Sequence, residues 1–238
     1  MKGIPAWVAV PVLAAFLIEF PFYLVPGFES VRERFARHMP LFLVVSFVAP
    51  YWIYATNTGE FEWWGFIRLA ALATVLSLWY RIFPAAPWAD GAFLVFVAAV
   101  VLRGYLDPIY ASPFRKLPLG ILGYLALRRL CAMVMLVERR VPCIGYGFVP
   151  TWSECKIGLR HFAYFLIVGV PLVWATRLVR LGPGMPVWKI AVTFLGMLWI
   201  VALPEEFFFR GLLQQWLTQW TGKPALALVG ASILFGAA

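Results

Sequence analysis

The sequence predicts an all-α protein, a polytopic transmembrane helix bundle of about eight or nine helices with little polypeptide outside the bilayer. Two observations carry that expectation. Of 238 residues, 63% are hydrophobic and 13% charged, and the mean hydropathy is +0.85. A soluble domain is roughly 45–50% apolar and about 25% charged, because it must cover its core with a polar shell. Lipid removes that requirement. The second observation is that the apolar residues come in runs of span length, separated by short polar connections.

A hydrocarbon core of about 30 Å takes about 20 helical residues, so apolar runs of that order read as spans. The first covers residues 7–25, and a polar segment with Arg32, Arg34 and Arg37 follows over 27–38. Further spans are expected over residues 40–55, 63–83 and 90–106, with an acidic loop holding Glu60 and Glu62 after the first of these. Residues 118–137 form a fifth, interrupted by Arg128 and Arg129. The longest polar connection, 138–156, contains Pro142, Gly145, Gly147 and Pro150 and is the one internal boundary the sequence suggests. Beyond it come spans over 159–178 and 187–203, a helix opening at Pro204, and a last apolar run over 224–238. No strand pattern or solenoid-length repeat is present. The domain expectation is therefore residues 1–140 as N-terminal transmembrane helices and 141–238 as a second region.

Lys and Arg collect in cytoplasmic loops, so the Arg-rich first connection is expected inside and the acidic second one outside. That puts the amino terminus outside. Trp63, Trp64, Trp79, Tyr80, Trp88 and Trp188 stand near span ends, where amphipathic rings favour the interface. The net charge of +9 comes from scattered basic residues rather than a stripe, which fits contact with membrane lipids and argues against nucleic acid. Cys131, Cys143 and Cys155 show neither a metal-type spacing nor an even pairing. The apolar amino terminus lacks a small-residue cleavage site and reads as a retained first helix. Localisation is expected to be integral and multi-pass, in the inner or plasma membrane.

One segment breaks the apolar rule. Leu203-Pro204-Glu205-Glu206-Phe207-Phe208-Phe209-Arg210-Gly211-Leu212-Leu213 sets two carboxylates and an arginine among aromatic and aliphatic side chains. A charged group at the centre of a membrane helix costs roughly 2.5–3.5 kcal/mol even on lenient scales, so such residues face a cavity and serve function by default. Pro204 suits the first helical position, and carboxylates suit the first turn. Glu206 and Arg210 are four apart and can pair on one face. Glu205 points about 100° away and stays available to water or substrate as a general base. A purely structural Glu–Arg clip is the competing reading of the same residues.

The pattern Glu205-Glu206-x-x-x-Arg210, with Phe209 before the arginine and Gly211-Leu212 after it, resembles the first motif of the CAAX protease and bacteriocin-processing family of intramembrane proteases, which includes the type II CAAX prenyl endopeptidases. The resemblance covers roughly the last third of the chain. It implies that Glu205 activates the hydrolytic water and that Glu206 and Arg210 organise the site. It also implies a Phe-x-x-x-His motif and a later His with Asn or Asp four residues on. Ser232-Ile233-Leu234-Phe235-Gly236-Ala237-Ala238 looks like the run into the second motif, whose histidine would follow Ala238. The expectation is therefore a fragment of a longer protein, inactive or severely impaired as it stands. For cofactors the resemblance leaves two readings open, a divalent metal such as zinc or a metal-free glutamate mechanism. The implied partner is a peptide or protein substrate at the membrane, whether a prenylated tail, a bacteriocin leader or another embedded peptide. The rival function class is a non-catalytic membrane protein, such as an immunity, transport or assembly factor, that uses the Glu–Arg cluster structurally.

Other polar residues receive plainer expectations. His38 reads as a solvated loop residue and His161 as an interface marker. Glu19, beside Pro21 in the first span, reads as one half of a structural ion pair. Arg103, Arg128 and Arg129 are expected to snorkel to headgroups. Ser153 and Ser232 have no triad partners, and no HExxH, P-loop or GxGxxG is present.

Overall fold

The structure is a computed structural model that describes residues 4–24, 29–114, 117–140, 151–177, 184 and 186–237. It is all-α. In chain order the helices are α1 (Ala6–Leu24), α2 (Glu29–Phe35), α3 (Met39–Thr58), α4 (Trp63–Ile82), α5 (Pro87–Leu102), α6 (Gly120–Met133), α7 (Trp152–Ala175), α8 (Val187–Gly196), α9 (Leu203–Glu206), α10 (Gln214–Thr221) and α11 (Pro224–Ala237). Stretches of wider π-helical backbone at Val134–Arg139, Met197–Ala202 and Phe207–Leu213 extend α6, α8 and α9. Among the described residues four helical runs are long and apolar enough to cross a membrane: Glu33–Thr58, Trp63–Ile82, Gly120–Arg139 and Trp152–Ala175. The polytopic bundle expected from composition is thus present.

The chain divides into two compact units, one made of Met1–Tyr146 with Ala202–Ala238, the other of Gly147–Val201. The boundary expected after residue 140 falls at the edge of 141–150, outside the described residues, as do Pro142, Cys143, Gly145, Gly147 and Pro150. In the first unit α3 packs on α1, α4 and α6. Its buried face repeats at helical spacing through Met39, Leu43, Phe47, Tyr51 and Tyr54. At Gly59 the chain turns with φ 77°, a left-handed conformation that glycine adopts without a Cβ clash, and its N–H caps Ala55 O. From Leu122 to Met135 most side chains of α6 and its extension are buried, so α6 is the central helix.

The expected partner of Glu19 is Arg129, which overturns the snorkelling assigned to that arginine. Arg129 is fully buried and donates from Nε to Glu19 Oε2 at 2.7 Å and from Nη2 to Glu19 Oε1 at 3.1 Å. Its remaining donors reach Ser46, with Nη1 to Oγ at 2.8 Å and Nη2 to the carbonyl oxygen at 2.9 Å. The physical reason lies in Pro50. Four residues after Ser46, it has no N–H to give that carbonyl. A membrane helix must satisfy such a group internally, and the guanidinium does so. Arg103 and Arg128, by contrast, are exposed.

A second buried acid ties α4, α5 and the end of α6 together. Asp90 accepts from Arg139 Nε at 2.8 Å and Nη2 at 3.0 Å, and from the Tyr80 hydroxyl at 2.8 Å. Tyr80 and Trp79, expected as interfacial rings, instead pin this corner, since Trp79 Nε1 donates to Ala89 O at 3.2 Å. Trp63, Trp64 and Trp88 are exposed.

Two polar connections prove partly helical. Within 27–38, α2 and a 3-10 turn at Ala36–His38 lead straight into α3; Arg81 Nη2, donating to Ala36 O at 3.1 Å, holds that end. In the second unit α7 begins seven residues before the expected residue 159, because Thr151 and Glu154 form a reciprocal capping box.

Candidate functional site

The charged motif sits on α9 and the π-helical segment that continues it. Pro204 does not open a helix here. Helical backbone already runs through Met197–Ala202 before Leu203. A proline inside a helix leaves the carbonyl four residues back without its donor, and a π-type widening is a common way for the backbone to accommodate this.

After the motif, α10 and α11 fold back as a tight hairpin. Gly222 closes α10 in the left-handed conformation, φ 66°, with its N–H on Thr218 O at 2.8 Å. Pro224 then occupies the first position of α11, where a missing N–H costs nothing. Small residues let the two helices close up. Ala227 and Ala231 are buried, and a Cβ placed on Gly230 would stand 3.3 Å from Leu217 Cδ1.

Between the motif and α11 lies a pocket of about 310 Å³. One wall carries Glu205, Glu206, Phe209, Arg210 and Gln214. The other carries Leu228, Ala231, Ser232 and Phe235, spaced i, i+3, i+4 and i+7 on a single helical face. Phe209 and Phe235 meet edge to face across it, with ring centroids 4.9 Å apart.

The two glutamates are in different situations. Glu206 Oε1 pairs with Arg210 Nη1 at 2.9 Å, the i,i+4 pair expected from spacing. Arg210 is 72% and Glu206 58% exposed, so the pair stands open to the pocket rather than locked in the core. Glu205 is half-buried, and its carboxylate makes no ion pair or hydrogen bond among the described residues. The pocket thus offers one carboxylate paired with a guanidinium and one without an ion pair among the described residues.

Neither histidine is among the residues lining this pocket. His38 ends the 3-10 turn before α3, and His161 Nδ1 lies 2.8 Å from Ile157 O on its own helix. Among the described residues no group of three or more His, Cys, Asp and Glu side chains converges as a metal site. A zinc centre needs at least three protein ligands. Among the described residues this pocket brings two carboxylates, one already held by Arg210, and by themselves these fall short of such a centre.

Sequence reasoning set Ser232 aside as a nucleophile without partners and did not consider Gln214. Both line the pocket. The period of α11 was a usable signal for Ser232, since it brings that residue onto the face of Phe235.

Comparison with known proteins falls on this same region. Residues 186–238 match the family described as Type II CAAX prenyl endopeptidase Rce1-like. That stretch contains α8 to α11 and every residue of the pocket. No curated protein and no solved structure matches the chain.

Proposed function

We propose that this protein is an intramembrane endopeptidase of the CAAX-protease kind, with Glu205 as the general base. The observation that carries the reading is the asymmetry of the glutamate pair. Glu206 is neutralised by Arg210, and Glu205 lines the same pocket with an unengaged carboxylate. Agreement between that geometry and the family match over residues 186–238 supports it.

In this reaction Glu205 takes a proton from a water molecule as the water oxygen bonds to the scissile carbonyl carbon. The tetrahedral intermediate then expels the amine, which receives the proton from Glu205, and a carboxylate and an amine are released. The Glu206–Arg210 pair holds the first turn of the motif in place. Phe209 and Phe235 narrow the pocket and restrict bulk water. By resemblance to the family, stabilisation of the oxyanion falls to the histidines of its later motifs. The substrate is a peptide or protein at the membrane, and the site of action is a cell's inner or plasma membrane.

The test is hydrolysis of membrane-embedded peptides by the protein expressed from its whole gene and reconstituted in liposomes. Glu205→Gln is expected to lower turnover about 10²–10⁴-fold, the usual contribution of a general base. Glu206→Gln should cost less and act through the placement of Arg210. Equal turnover by the Glu205→Gln variant would favour the rival, structural use of the cluster.

A further inference from the structure

A second pocket, of about 410 Å³, opens at the start of α4 in the first unit. It is lined by Glu62, Trp64, Gly65, Arg68, Pro108 and Ile109. Its chemistry is unlike that of the candidate catalytic pocket, because its two charged groups have opposite sign and do not bond each other. Among the described residues neither the Glu62 carboxylate nor the Arg68 guanidinium makes an ion pair or a side-chain hydrogen bond. The other acids of this unit's helical core, Glu19 and Asp90, are each matched with an arginine.

Position makes the unpaired arginine significant. A span-length helix begins at Trp63, so Arg68 starts five residues inside it, about 7.5 Å along the axis. An arginine at that depth needs a partner or an aqueous path. Side chains on a helix lean toward its N-terminus, so Arg68 leans back toward Trp64, four residues earlier on the same face. Trp64 is 72% exposed, as a ring at the headgroup level is expected to be.

The remaining walls are fixed rather than loose. Tyr51 Oη accepts from the Glu62 N–H at 3.0 Å and donates to Glu62 O at 3.2 Å, which anchors the backbone that carries the carboxylate. Gly65 brings α4 tightly against its neighbours: an added Cβ would stand 2.9 Å from Tyr51 Oη and 3.2 Å from Ile109 Cγ2.

We infer that this pocket binds the headgroup of a zwitterionic phospholipid bearing a primary ammonium, a phosphoethanolamine group. Arg68, the deeper charge, takes the phosphate in a bidentate, charge-assisted contact. Glu62, the shallower charge, takes the ammonium, which has three N–H donors for it. The Trp64 ring adds a cation–π surface beside the ammonium. A choline headgroup satisfies the ring but offers Glu62 no N–H donor. A glycerol headgroup leaves Glu62 beside an anionic lipid with no cation between them. The inference is independent of the proposed peptidase activity.

The experiment is lipid retention. The full-length protein is purified in mild detergent, delipidated, and mixed with equal amounts of phosphatidylethanolamine, phosphatidylcholine and phosphatidylglycerol before the retained lipid is quantified. Phosphatidylethanolamine should be retained selectively. Glu62→Gln and Arg68→Gln should each lower that retention about tenfold, the loss of one charge-assisted contact, while Glu60→Gln should leave it unchanged. Equal retention of phosphatidylglycerol reduces the site to an arginine that attracts any phosphate and overturns the inference. Equal retention of phosphatidylcholine removes the role of Glu62 and overturns it too. If a variant fails to fold, the three-way selectivity of the unsubstituted protein still decides.

Discussion

Removing either member of the buried Glu19–Arg129 pair should destabilise the bundle, and removing both should restore most of the loss. Both side chains are almost wholly buried and meet through two charge-assisted hydrogen bonds of 2.7 and 3.1 Å. Glu19→Gln leaves Arg129 with its charge uncompensated, and breaking such a buried pair costs about 3–5 kcal/mol. Arg129→Met strands the Glu19 carboxylate in the same way. It also orphans the Ser46 carbonyl that Pro50 cannot serve, for about 1–3 kcal/mol more. In a chain of this size 1 kcal/mol moves a melting midpoint by about 2–4 °C, so each single change should lower it on the order of 10 °C, the arginine change by more. The double variant Glu19→Gln with Arg129→Met buries no net charge and should recover most of the difference. The assay is thermal unfolding in detergent, followed by thiol-reactive dye at buried Cys131. Single variants melting within about 1 °C of the parent, or strictly additive losses in the double variant, would refute the reasoning.

Three other expectations follow from particular contacts. Pro50→Ala returns an N–H to the Ser46 carbonyl, so Arg129→Met should cost less in that background, by about 1 kcal/mol, in the same melting assay. Asp90→Asn removes the charge from an acid bonded to both Arg139 and Tyr80 and should loosen the α4–α5 corner by about 2–3 kcal/mol, read as faster limited proteolysis of residues 83–86. Gly230→Leu overpacks the α10–α11 hairpin by about 1–3 kcal/mol. It should lower the melting midpoint in the same assay.

Sequence alone located most of the apolar helices to within a few residues, although only four of those described are long enough to cross a membrane, because apolar runs bounded by Pro, Gly and charge are local signals. It also placed the Glu206–Arg210 contact, which depends on helical spacing four residues apart. What it missed was non-local. Arg129 reads as a snorkelling end residue until its partners Glu19 and Ser46 are known, and these are 110 and 83 residues away. No local pattern links the missing donor of Pro50 to an arginine on another helix. The polar stretch 27–38 looks like a loop by composition, yet its end is held by Arg81 from α4. Pro204 carries the signature of a helix start, and that signature does not reveal helical backbone already running into it. At the pocket, the motif was legible as a charged cluster on one helix, whereas the opposing wall from α11 was legible only as a period.

The central claim, that Glu205 is the base of a membrane peptidase, is tested most directly by comparing protein termini in membranes from cells that express the parent protein or its Glu205→Gln variant from the whole gene. Mass spectrometry of newly formed termini should find a set of cleavages in or beside membrane-embedded segments that is present with the parent and absent with Glu205→Gln. Identical sets of termini, with both proteins folded and equally abundant, would contradict the account and leave the glutamates and Arg210 as a packing device.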